Sequence, residues 1–187
     1  MYSMQKQEFT ISAYTENTIG LLNRITIMFT RRRINIESLT VSESAIAGIS
    51  KFTIVVNDLE DRITKLCVQI ERHVEVLKCF YHRNDEIVHQ EVALYKVSSE
   101  ALLAGDQIEK IVRAYHARIL EITPTYTVIE KTGHKAETQE LFDKLNPYGV
   151  IQFIRSGRVA ITRSNIEKLS EFLKERDRVQ TVLDKQK

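Results

Sequence analysis

Two short stretches hold the residue types from which a ligand site could be built. One is Glu16-Asn17-Thr18-Ile19-Gly20-Leu21-Leu22, the other Asn35-Ile36-Glu37-Ser38-Leu39. A polar turn followed by Gly at a helix start leaves the backbone N–H groups of Gly20, Leu21 and Leu22 without intrahelical acceptors. Those donors, with the positive end of the helix dipole, suit a small carboxylate. Gly20 puts no side chain between the ligand and the backbone. The amide oxygens of Asn17 and Asn35 can accept hydrogen bonds from an ammonium group, and Ile19 and Ile36 add apolar surface beside them. A ligand with both charged groups and an apolar side chain is a small aliphatic amino acid. On the residues alone a plainer reading stands next to this one, in which Asn17 only makes a turn and Gly20 only relieves crowding.

Other chemistries find little support. Cys67, His73, Cys79, His82 and His89 match no zinc spacing, and Cys67 falls on the apolar face of its helix, where a buried structural cysteine is the expected reading. No nucleophile elbow, no His paired with a motif Ser or Cys, and no phosphate-binding loop is found. Glu130 and Glu137 read as scattered surface acids. The chain has 27 Lys+Arg against 25 Asp+Glu in 187 residues. Seven of those bases and five of the acids follow Thr162, so the first 162 residues balance at 20 of each. A neutral body is a poor partner for a phosphate backbone. The third strand offers a single aromatic, Phe52, for stacking a base, and Arg31-Arg32-Arg33 reads as a solvated cap that complements a helix C-terminus. Two cysteines exclude a disulfide scaffold. No apolar run approaches the ~20 residues of a membrane span, and the polar N-terminus lacks a signal-peptide core. The cytoplasm is the expected location.

The elements that must position these residues follow from periodicity. Residues 9–14 alternate as a strand, with Phe9, Ile11 and Ala13 on one side. Leu21, Leu22, Ile25, Met28 and Phe29 then mark one face of a helix. Residues 34–41 and 50–57 read as strands, the first with a phase change near Glu37. Asp58 is placed to cap a helix carrying Ile63, Leu66, Cys67 and Ile70, and residues 74–81 form a fourth strand. The order β-α-β-β-α-β then repeats: strand 91–97, helix 107–115, strands 118–123 and 126–131, helix 137–145, strand 150–155, and a short continuation at 158–162. The predicted class is α+β, two ferredoxin-like (βαββαβ) domains in tandem with helices on one face of each antiparallel sheet. The domains are 1–84 and 85–163, followed by 164–187, where Ile166, Leu169, Phe172, Leu173, Val179 and Leu183 pattern an amphipathic helix expected to pack on its own domain. Units of 75–80 residues with one open sheet face and unpaired edges are marginal alone, so an obligate oligomer is expected.

Glu16-Asn17…Gly20-Leu21-Leu22-Asn23-Arg24 with Phe29-Thr30-Arg31-Arg32…Asn35-Ile36-Glu37-Ser38-Leu39-Thr40-Val41 resembles the opening of the small, regulatory subunit of acetolactate synthase (acetohydroxyacid synthase). Ser50-Lys51-Phe52-Thr53-Ile54, Thr123-Pro124-Thr125 and Arg155-Ser156-Gly157 agree with it, and the likeness runs from Glu8 to Arg163. It implies an N-terminal ACT domain, the amino-acid-binding ferredoxin-like module, and no catalytic residues in this chain. It further implies a large catalytic subunit as partner, with thiamine diphosphate, Mg and FAD confined to that subunit. This chain would activate that subunit in branched-chain amino acid biosynthesis and make it sensitive to feedback inhibition, usually by valine. In the family the effector lies between two ACT domains of a homodimer: Asn17, Ile19, Gly20, Leu21 and Leu22 match positions on one chain, Asn35 and Ile36 the contribution of the other. Two departures stand out. Arg33 replaces the family's usual Gly at a helix end that calls for a left-handed residue, and Thr18-Ile19 replaces a smaller pair. The alternative function is a stand-alone amino-acid sensor acting on another partner. Neither reading involves nucleic acid or a membrane.

Overall fold

The computed structural model of the chain describes residues 5–166 and 168–174. Among these, positions up to Val88 and from Ala160 onward form one compact unit, and His89–Val159 form a second. The break therefore falls a few residues after position 84, and the chain returns to its first unit just ahead of position 163.

The first unit runs β1 (Gln7–Glu16), α1 (Leu21–Arg31), β2 (Ile36–Glu43), β3 (Ile49–Asp58), α2 (Glu60–Glu71) and β4 (Val76–His82). Its sheet is antiparallel in the order β2-β3-β1-β4, which puts β2 on one edge. Phe9, Ile11 and Ala13 of β1, with Phe52, Ile54 and Val56 of β3, point to the helices. There they meet Ile25 and Phe29 of α1 and Ile63, Leu66 and Ile70 of α2, all essentially solvent-free. Each such side chain contributes roughly 1.5–3 kcal/mol of burial. Phe52, the one aromatic that could have stacked a base, is only 3% exposed in this core. The phase change read at Glu37 is a bulge: Ile36 faces Val56 while Ser38 faces Val55.

Two details differ from the sequence expectation. Asp58 does not cap α2. The N-cap is Leu59, and the buried Asp58 carboxylate instead takes the Leu59 N–H at 2.9 Å and the Arg62 guanidinium at 2.7 Å. The second face of this sheet is not open either, since Thr10, Ser12, Thr53 and Val55 are buried. The returning chain covers part of it: Lys51 Nζ donates to the Ala160 carbonyl at 2.8 Å, and Leu169 is 2% exposed. Residues 168–174 are helical, so the described part of the expected C-terminal helix packs on its own unit; Val179 and Leu183 lie outside the described residues.

The second unit repeats the plan with β5 (Ile87–Ser98), α3 (Ser99–Leu103), α4 (Gln107–Ala114), β6 (Arg118–Ile122), β7 (Tyr126–Gly133), α5 (Lys135–Leu145) and β8 (Val150–Arg155), before β9 (Val159–Thr162). Its sheet follows the same order, β6-β7-β5-β8. The short α3 was not expected; Ser98 caps it by accepting the Glu100 N–H. Tyr95 fills the centre of this core. It stacks on Phe153 at 5.0 Å and donates to the Thr138 carbonyl at 2.6 Å.

The repetition extends to how α1 and α4 end. Arg33 N–H donates to Thr30 O and Ile34 N–H to Phe29 O; His116 N–H donates to Arg113 O and Ala117 N–H to Val112 O. Both are Schellman closures, which need a left-handed residue after the C-cap. Arg33 (φ 52°) and His116 (φ 51°) supply it without being Gly. The departure noted at Arg33 thus leaves the turn intact and places a side chain where the backbone favours none.

Candidate functional site

The first unit has a helix start that no described side chain caps. Gly20, the N-cap of α1, sits at φ 83°, no side chain bonds to the first-turn amides, and that turn has no acidic residue. A Cβ built on Gly20 meets nothing within 4 Å. The left-handed backbone, not crowding, is therefore what requires glycine here. Of the three expected donors, Leu21 N–H is engaged by the Thr18 carbonyl at 3.4 Å. The N–H groups of Gly20 and Leu22 meet no backbone acceptor among the described residues. A helix end with bare donors and a positive dipole is a place for a small anion.

Asn17 stands beside it. Its own N–H is tied to Gly48 O at 3.0 Å, which fixes the backbone, while its exposed side chain makes no hydrogen bond among the described residues. Ile19 is fully exposed and Leu22 is 46% exposed, so two apolar side chains flank the donors, whereas Leu21 turns into the core. The turn is held from behind. Glu75 accepts Arg24 of α1 at 2.5 Å, and its carbonyl accepts the Glu16 N–H at 2.8 Å. Its own backbone N–H and that guanidinium hold the Glu75 carboxyl below the usual range.

Asn35 and Ile36 lie elsewhere in the same chain. α1 has 11 residues, so its two ends are about 16 Å apart. The sheet gives the same answer, since Ile36 pairs with Val56, which pairs with Phe9, while Asn17 adjoins Glu16. From Phe9 to Glu16 a strand spans about 23 Å. A small amino acid cannot touch Asn17 and Asn35 of one chain. At its own end, exposed Asn35 donates through Nδ2 to Glu37 Oε1 at 2.9 Å, which leaves its amide oxygen outward next to a carboxylate. Glu37 is the residue that sequence reasoning missed. Its spacing of two from Asn35 at a strand start was the available signal, and its charge favours an ammonium group.

Nothing comparable gathers around the cysteines. Cys67 of α2 and Cys79 of β4 are both buried, and the hydrogen bond from Cys67, with burial, pushes the Cys79 thiol well above its ordinary range. A thiol held protonated in this way is a poor nucleophile and a poor ligand. Among the described residues no group of three or more His, Cys, Asp or Glu is placed to hold a metal, and no helix is long and apolar enough to cross a membrane.

Comparison with known proteins gives this geometry its context. A family model described as an AHAS small subunit-like ACT domain matches residues 11–78, and one described as the small subunit of acetolactate synthase matches residues 90–164. The acetolactate synthase small subunit of Bacillus subtilis (strain 168) is 36% identical over 155 residues, 82% of this chain and 90% of that protein. The chain belongs to the acetolactate synthase small-subunit family. The Mycobacterium leprae small subunit is 32% identical over 154 residues, again 82% and 90% of the two chains. The crystal structure of the Thermotoga maritima small subunit superposes with a TM-score of 0.77 at 28% identity, over 86% of this chain and 99% of that one. The bare α1 start and Asn17 thus belong to the ACT module of an acetolactate synthase small subunit.

Proposed function

We propose that this chain is the regulatory subunit of acetolactate synthase. It binds the large, thiamine-diphosphate-dependent subunit, raises its activity, and makes it sensitive to feedback inhibition by valine. The observation that carries the reading is the pairing of two half-sites of opposite character at opposite ends of α1. The capless N-terminus with Asn17 takes a carboxylate; Asn35 with Glu37 takes an ammonium group. Two ACT units placed side by side through their β2 edges would bring one half-site of each chain together and build a continuous sheet, which removes the exposed edge. Valine then binds only the paired arrangement and shifts its population, which is how it reaches the catalytic subunit.

Asn17→Ala should abolish valine sensitivity of the reconstituted enzyme and leave activation of the catalytic subunit nearly intact. Assays of the complex with and without valine decide this, and loss of activation together with sensitivity would contradict it.

A further inference from the structure

The first unit also holds a cavity of about 210 Å³ on the sheet face away from α1 and α2. Its floor is β1 and β4, with β3 alongside; its roof is formed by residues 160–162, 164, 165, 168 and 169 of the returning chain. One end is cationic. Lys51 of β3 and Lys168 of the roof both line it, together with His82, which is only 6% exposed. The Lys168 ammonium stands 5.1 Å over the Phe80 ring and has no carboxylate partner among the described residues. Hydroxyls of Ser12, Thr162 and Ser164 add polar contacts, and the described lining residues include no Asp or Glu. Asn165 and Tyr14 add an amide and a phenol, and the apolar wall comes from Ile87, Ile161 and Leu169.

We propose that this cavity binds a small organic anion, a carboxylate on a short apolar body, with the charged group between Lys168, Lys51 and His82 and the body against Ile87, Ile161 and Leu169. The volume is below that of an ordinary drug-sized pocket, which limits the ligand to a handful of heavy atoms. The charge pattern is opposite to that of an amino-acid site. No described acid lines the cavity to receive an α-ammonium group, and two lysines repel one, so the ligand is a simple acid rather than valine. His82 reports occupancy. Burial, then Lys168 and Lys51, hold its imidazole below the ordinary range, with Glu86 opposing them. A bound carboxylate cancels the lysine field and moves the midpoint up.

The test is an NMR titration of the full chain with isovalerate at fixed ionic strength, reading the His82 ring and Ile87 methyl signals. The expected result is a saturable shift at both, with the His82 midpoint moved to higher pH. Lys168→Gln should weaken it roughly fivefold and Lys168→Arg should retain it. Lys168 is exposed, so both variants keep the fold. No saturable shift at His82, or an equal response to neutral isovaleramide, would overturn the proposal. So would equal binding of valine, or of inorganic phosphate, which lacks the apolar body.

Discussion

Single residues here are held by strong local constraints, and Tyr95 is the clearest. Its ring is fully buried, its hydroxyl is satisfied by the Thr138 carbonyl, and burial raises its pKa from 10.0 to about 12. The folded state keeps the phenol neutral, whereas the unfolded chain releases the proton above pH 10. Stability is therefore fully present below pH 10 and falls as the pH rises toward 12. Tyr95→Phe should cost about 1 kcal/mol at neutral pH through the lost hydrogen bond and should remove this part of the alkaline loss. Urea unfolding of both proteins from pH 8 to 12 checks it: the two curves converge if the account holds and stay parallel if it does not. Gly20 is a constraint of another kind. Its φ of 83° is a backbone state that L-residues reach only with strain, so the donor group at the α1 start depends on one residue having no Cβ.

At the scale of elements, the Schellman closures of α1 and α4 are both made with strained residues. A non-glycine residue in the left-handed region costs about 1–2 kcal/mol, partly offset by the lower chain entropy of the unfolded state. Arg33→Gly should thus stabilise the chain by about 1 kcal/mol, a rise of roughly 2–4 °C in melting temperature at this size. His116→Gly should do the same at the end of α4. Calorimetric melting measures both, and a fall in either melting temperature would show that the side chain holds the turn. The elements that could be read from the sequence are those whose signal is local. The alternation of Phe9, Ile11 and Ala13 marks the helix-facing side of β1, and the slipped phase at Glu37 marks the β2 bulge. What could not be read depends on a competing partner or on distant chain. Asp58 has a capping residue's type and position, but its carboxylate is drawn to Arg62. Thr10, Ser12 and Thr53 look like the polar side of an open sheet, yet chain from beyond Ala160 packs near them. The candidate site divides the same way. Asn17, Gly20 and Asn35 are visible by residue type, whereas the role of Glu37 appears only when its carboxylate is seen against the Asn35 amide.

At the scale of the whole molecule, the central claim is that a complete effector site needs two chains. Asn17 and Asn35 sit too far apart in one chain to share a small amino acid, so each dimer would hold two sites, each built from one end of α1 on either chain. Mixing variants tests this directly. Dimers of Asn17→Ala alone, or of Asn35→Ala alone, have both sites damaged. A heterodimer of the two variants regains one site with wild-type Asn17 from one chain and wild-type Asn35 from the other, while both defects collect in its second site. The measurement is calorimetric titration of valine into each variant of the full chain and into an equimolar mixture unfolded and refolded together. The account predicts no binding in either variant and recovered, saturable binding in the mixture, at wild-type affinity and in proportion to the heterodimer formed. A mixture as inactive as its components, or full binding by Asn35→Ala alone, would contradict it.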